Sequence, residues 1–228
     1  MEYLYIVIIG LLVIFLVFIN SPKGKGVIGE WKVNRVLKRA ALEYGGIEIT
    51  DLMLEDNRSS SQIDNLLLTT KALYVFEVKN YTGHIFGSED QMNWTVTVKH
   101  VNKKRSKSGR VYKKTHISKH KFYNPIKQNH THINKIKNLT NISDVIPVFN
   151  IVVFGTNAVI RDVKHSPATY VLHHTEIMRF IHQKEQEIEH TIDDEQLIDI
   201  IDLLYSLNIV DKRRRKQHVN DIKSKHKK

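Results

Sequence analysis

Two apolar, β-rich runs divided by a short polar break restrict the fold of this chain more than any other feature. Gln62-Ile63-Asp64-Asn65-Leu66-Leu67-Leu68 leads into Thr69-Thr70-Lys71, and Ala72-Leu73-Tyr74-Val75-Phe76-Glu77-Val78-Lys79-Asn80 follows. Runs of this kind around a break predict a β-hairpin. If Asp64 faces Glu77, the midpoint of the pairing falls between Thr70 and Lys71, where the turn belongs, and the same register sets Gln62 against Lys79. Strand side chains alternate, so Gln62, Asp64, Glu77 and Lys79 share a face with Leu66, Leu68, Leu73 and Val75. Ile63, Leu67, Tyr74, Phe76 and Val78 form the other face. Both faces call for burial, which predicts a central position in the sheet.

Two carboxylates and an ammonium at the rim of such a pair have two readings. In one, Lys79 neutralises Glu77 or Asp64 as a salt bridge with no chemistry. In the other, Asp64 and Glu77 offer the hard oxygens that Mg²⁺ prefers, and Lys79 positions a water or stabilises developing charge. Desolvated charges are costly unless paired or bound to metal. The second reading is the equipment of metal-assisted phosphodiester hydrolysis.

The charge balance agrees with that substrate class. Lys and Arg number 35 against 24 Asp and Glu, a formal net charge of +11, which suits a polyanion or an acidic membrane surface. Cysteine is absent, so disulfides and thiolate metal sites are excluded. His116 with His120, and His130 with His132, invite a zinc reading, but no partner carboxylate stands at a convincing spacing.

Taken in order, the chain opens with an almost unbroken apolar run from Tyr3 to Ile19. It is near the lower limit of about 17 to 25 residues for a spanning helix. A cleaved signal peptide is the rival, but no basic segment precedes the run and no small-x-small pattern follows it. Lys23, Lys25, Lys32 and Arg35 lie after the run, which places the C-terminal bulk in the cytoplasm of an anchored protein. The expected organisation is an anchor over 1–20, a linker over 21–26, a main domain over 27–182, a helical segment over 183–210 and a basic tail over 211–228 that frays.

Helical spacing covers Gly29 to Tyr44, stopped by Gly45-Gly46. Glu30 in its first turn either serves the helix dipole or adds a metal or water ligand. Strands are expected at Ile47 to Leu54, Trp94 to Val101 and Ile146 to Phe154, with a short one around Ile85 and an edge strand at Tyr170 to Leu172. Asn102 to Lys121 is an exposed basic hairpin or loop, either a solvated face or a phosphate contact through Lys103, Lys104, Arg105, Lys107, Arg110, Lys113 and Lys114. Pro125 begins a helix to about Leu139 with Gln128 near its start. Further helices are expected from Thr175 and over Asp193 to Leu207.

Five pieces in order resemble the nuclease-related domain (NERD) family of the PD-(D/E)XK restriction-endonuclease-like group. They are Gly26-Val27-Ile28-Gly29-Glu30, Gln62-Ile63-Asp64-Asn65, Glu77-Val78-Lys79-Asn80 with Tyr81-Thr82-Gly83, Trp94, and Asn124-Pro125-Ile126-Lys127-Gln128. The resemblance implies an α/β fold, a central mixed β-sheet flanked by helices, here behind one N-terminal transmembrane helix. It also implies Asp64 and Glu77 as ligands of Mg²⁺ or Mn²⁺, with Lys79, Glu30 and Gln128 completing the catalytic set. Asn65 stands where many relatives have His, and His132 where related nucleases can place a Tyr. The function this implies is metal-dependent cleavage of nucleic acid, DNA before RNA, at the cytoplasmic face of a membrane. The rival class is a non-catalytic nucleic-acid-binding or membrane-tethering module on the same fold.

Overall fold

The structure is a computed structural model that describes residues 2–57, 59–105 and 111–225. Helix α1, Glu2–Asn20, carries the apolar run, and its side chains are almost all exposed from Tyr3 to Phe18. The Tyr3–Asn20 stretch is long and apolar enough to cross a membrane. Helix α2, Pro22–Tyr44, begins earlier than the sequence spacing suggests. Ser21 caps it by accepting from the Gly24 amide, and Pro22 sits in the first turn, where its missing N–H costs nothing. The segment expected as a linker is therefore largely helical. Gly45 ends α2 in the left-handed conformation, φ 63°.

Strands β1, Ile47–Glu55, and β2, Ser60–Leu68, pair antiparallel, as do β2 and β3, Leu73–Lys79. The β2–β3 register pairs Asn65 with Phe76 and Leu68 with Leu73, the one expected from the turn. Strand β4, Gly83–Ser88, then leads into β5, Asn93–Arg105, and β6, Val111–Tyr123. Helix α3, Pro125–Thr140, is followed by β7, Val148–Phe154, β8, Ala158–Lys164, and β9, Thr169–His173. Helices α4, Ile177–Glu187, α5, Asp194–Leu207, and α6, Lys212–Lys225, complete the chain. The molecule is α/β, with one five-stranded sheet ordered β1-β2-β3-β7-β9 and one four-stranded sheet ordered β6-β5-β4-β8. β7 runs parallel to β3, so the first sheet is mixed and β3 lies at its centre.

Both faces of the first sheet are covered, which explains the doubly apolar hairpin. Leu66, Leu68, Leu73 and Val75 pack with Ile133 and Ile136 of α3 and Leu197 and Leu204 of α5. Leu67, Tyr74 and Phe76 pack with Val33, Leu37 and Ala40 of α2 and Ile177 and Ile181 of α4. Ile63, expected with the second group, joins the first. Its strand partner β1 is irregular just there: Asp51 has φ 55°, and no pairing is formed between Thr50↔Asn65 and Leu52↔Ile63. One strand was not expected, and one further expectation is corrected. Strand β8 has no counterpart in the sequence reading. The tail from Lys212, expected to fray, is helical through Lys225 and docks on β1 and β2, with Arg214 paired to Glu55 and His218 bonded to Ser60.

Candidate active site

The hairpin opens where its ladder ends. β2 and β3 pair from Leu68/Leu73 to Asn65/Phe76, and beyond that β2 stays with β1 while β3 stays with β7 as far as Lys79↔Phe154. Asp64 and Glu77 are the next residues in register, one on each wall of the divergence. Gln62 does not meet Lys79 as expected. Its Nε2 donates to Asp51 Oδ1 at 2.6 Å, because β2 has by then followed β1 away.

Helix α3 closes the cleft. Asn124 caps it, accepting from the Ile126 and Lys127 amides, while its own amide donates to the Ser88, Glu89 and Gln91 carbonyls. The cap ties the helix start to the β4–β5 turn and fixes the phase of Gln128 and His132, which are neighbours one turn apart. Lys79 Nζ donates to Gln128 Oε1 at 3.1 Å and lies 2.5 Å from Glu77 Oε1. His132 Nε2 lies 3.5 Å from Glu77 Oε2. The structure thus brings together Glu77, Lys79, Gln128 and His132, the last expected only as half of a zinc pair or as a departure from related nucleases. The four-residue spacing from Gln128 was the signal that His132 points the same way.

The electrostatics divide the carboxylates. Burial pushes the Asp64 carboxyl up to about 8, and the charges of Glu77 and Glu30 push the same way, against Lys79 and a hydrogen bond from the Val78 amide. Burial also opposes the charge on Glu77, but Lys79 and His132 outweigh it and hold its pKa below the ordinary carboxylate value. Lys79 is raised, burial being overcome by Glu77 and Asp64. Glu30 stays open to water on α2, yet partial desolvation and then the charges of Glu77 and Asp51 raise its pKa too.

A divalent cation fits this chemistry. Neither fully buried oxygen of Glu77 has a well-aligned hydrogen bond, and the Asp64 charge lacks a full counter-charge. Among the described residues no three His, Asp or Glu side chains form a closed metal cage. Mg²⁺ ordinarily takes one or two carboxylates and keeps its waters, so two ligands suffice.

A second expected feature stands apart from the cleft. β5 and β6 form a ribbon of thirteen residues per strand, longer than the strand expected at Trp94 to Val101. Trp94 and Val96 root it in the core, and the β6 side chains are nearly all exposed. No acidic residue occurs from Asn93 to Tyr123. The register puts Lys99, Lys103, Arg105, Lys113, Lys119 and Lys121 on one face, with Lys103 directly opposite Lys113. Lys104 lies on β5 and Lys114 opposite Asn102, whereas Lys107 and Arg110 lie outside the described residues. Like charges opposed across a ladder are destabilising in isolation.

Comparison with known proteins adds three findings. The family model described as the nuclease-related domain matches residues 25–155, a span that holds every residue of the cleft named above. An uncharacterized protein of Bacillus anthracis is 28% identical over 207 residues, 90% of this chain and 87% of that protein. No solved structure matches the chain.

Proposed function

The chain belongs to the nuclease-related domain family, and from that premise we propose that it is a membrane-anchored, metal-dependent nuclease that hydrolyses phosphodiester bonds of DNA at the cytoplasmic face. The observation that carries this reading is the partition of charge in the cleft: Asp64 is held where its negative charge is unfavourable, across the divergence from an ionised, lysine-paired Glu77. A structural ion pair has no use for the additional, partly buried carboxylate.

Asp64 and Glu77 would hold Mg²⁺ or Mn²⁺, which supplies Lewis-acid polarisation of the scissile phosphate and charge stabilisation at the leaving oxygen. Lys79, steadied by Gln128, orients the attacking water toward phosphorus. Glu30, open to solvent and raised in pKa, takes up a proton through water as the new P–O bond forms and the bond to the leaving oxygen breaks. His132 keeps Glu77 ionised. The basic ribbon holds the sugar-phosphate backbone without reading bases. α1 supplies the anchor, and the lysines that follow it favour a cytoplasmic domain.

The test is cleavage of labelled linear and circular DNA by the full chain in detergent, with Mg²⁺, Mn²⁺ or chelator, beside Asp64→Ala. Metal-dependent cutting that the substitution abolishes supports the nuclease. Binding without cutting, on DNA and on RNA, would favour the module reading, which the ribbon supports independently of the carboxylates.

A further inference from the structure

Alternation along β3 sends Val78 and Asn80 to the face opposite Glu77 and Lys79, and there they border a cavity of about 350 Å³. Its floor is the C-terminal end of the parallel pair β3 and β7, the edge at which open α/β sheets receive ligands. Its walls include Asn20 at the end of α1, Lys25 and Lys32 two turns apart on α2, Asn157 and His174.

The cavity is shaped around Asn80, whose Nδ2 donates to the Lys25 carbonyl at 2.5 Å. A Cβ at Gly155 would stand 2.3 Å from Asn80 Oδ1, and one at Gly29 would stand 3.0 Å from Asn80 Cβ. Both glycines therefore make room for the Asn80 side chain at the cavity's border. No Asp or Glu lines it, and among the described residues neither Lys25 nor Lys32 has a carboxylate partner. His174 Nδ1 is buried without a hydrogen-bond partner.

We propose that this cavity binds a phosphate group, taken by the ammonium groups of Lys25 and Lys32 with the Asn157 amide and the His174 imidazole as further donors. The source is either an anionic lipid headgroup, since Asn20 ends the apolar helix, or a free phosphate. Burial and then the charges of Lys32 and His173 lower the His174 pKa, and the part that comes from those charges is the part a bound anion would offset. The site is separate from the cleft and does not rest on nuclease activity.

The test uses the full chain in phosphatidylcholine nanodiscs, with and without phosphatidylglycerol, and with or without added inorganic phosphate. The readout is the His174 ring resonances, assigned with His174→Gln. A shift with inorganic phosphate in the neutral nanodiscs identifies a free-phosphate site. A shift only with phosphatidylglycerol identifies the headgroup. In either case Lys25→Gln and Lys32→Gln each weaken the response by ~10-fold, the value of one charge-assisted contact. Both lysines are exposed, so these variants keep the parent Tm. Absence of a shift with either probe, or equal affinity in the lysine variants, overturns the proposal.

Discussion

Lys79 Nζ lies 2.5 Å from Glu77 Oε1, closer than His132 Nε2 at 3.5 Å from Oε2, and that ion pair is the larger compensation for a carboxylate that is 1% exposed. Removing one member of a buried pair leaves the other charge stranded. Lys79→Met is therefore expected to lower folding stability by about 3 kcal/mol at neutral pH. Adding Glu77→Gln to that variant should recover most of the loss, whereas cleavage stays absent in both. Chemical denaturation beside the activity assay checks this. An equal loss in the single and double variants would remove Lys79 as the partner of Glu77.

Asp64 supplies a pH dependence of defined sign. Its folded pKa of about 8 lies above its ordinary value of 3.8. Between these values the folded chain holds a proton that the unfolded chain has lost, so stability falls as pH rises from about 4 to about 8. Metal-free Asp64→Asn should exceed the parent by a few kcal/mol near pH 8, and the difference should close near pH 4. Since a bound cation must replace the proton, Mg²⁺ or Mn²⁺ affinity should strengthen as pH rises toward 8. Calorimetric titration across that range measures it, and a flat profile would contradict the placement of Asp64.

The ribbon gives a prediction about salt. Lys103 and Lys113 face each other, and replacing both with Gln removes about two phosphate contacts. The slope of log affinity against log salt should flatten by about 2 units. The loss should be the same for unrelated duplex sequences, and Tm should hold or rise because a like-charge pair has gone. Filter binding at several salt concentrations resolves the slope.

Arg215 of α6 donates to Asp51 Oδ2 at 2.6 Å, to the Asp51 carbonyl at 2.9 Å and to the Ile209 carbonyl at 2.7 Å. These bonds fasten the C-terminal helix to the irregular point of β1, across from Asp64. Arg215→Ala is expected to destabilise the protein by about 1–2 kcal/mol and to release α6 first. Amide exchange confined to residues 212–225 would show that release.

The hairpin, its register and the cleft residues were legible because each rests on local pattern. Alternation set the faces, one turn position set the pairing, and Asn124-Pro125 announced the helix that carries Gln128. The features that escaped are those in which distant parts of the chain decide. Lys212 to Lys225 looks like a solvated tail by composition, yet Glu55, Asp51 and Ser60, more than 150 residues earlier, supply its partners. Gln62 looked inward only if β2 followed β3, and the left-handed Asp51 marks where it does not. β8 is short and mostly exposed, and it owes its strand form to pairing with β4. His132 belongs to both classes, visible by spacing but without meaning until Glu77 stood beside it.

α1 ends at Asn20 and α2 begins at Pro22, so a single residue, Ser21, joins them. Its amide still bonds back to the Val17 and Phe18 carbonyls, and Gly24 packs so closely on Phe18 that a Cβ there would stand 2.1 Å from the carbonyl oxygen. A flexible tether gains reach roughly with the square root of its length, and a one-residue joint has almost none. With α1 in a bilayer, the nuclease-related domain would patrol a layer no thicker than itself. The substrates open to the proposed nuclease would then be decided less by affinity than by which polymers are drawn against the membrane surface.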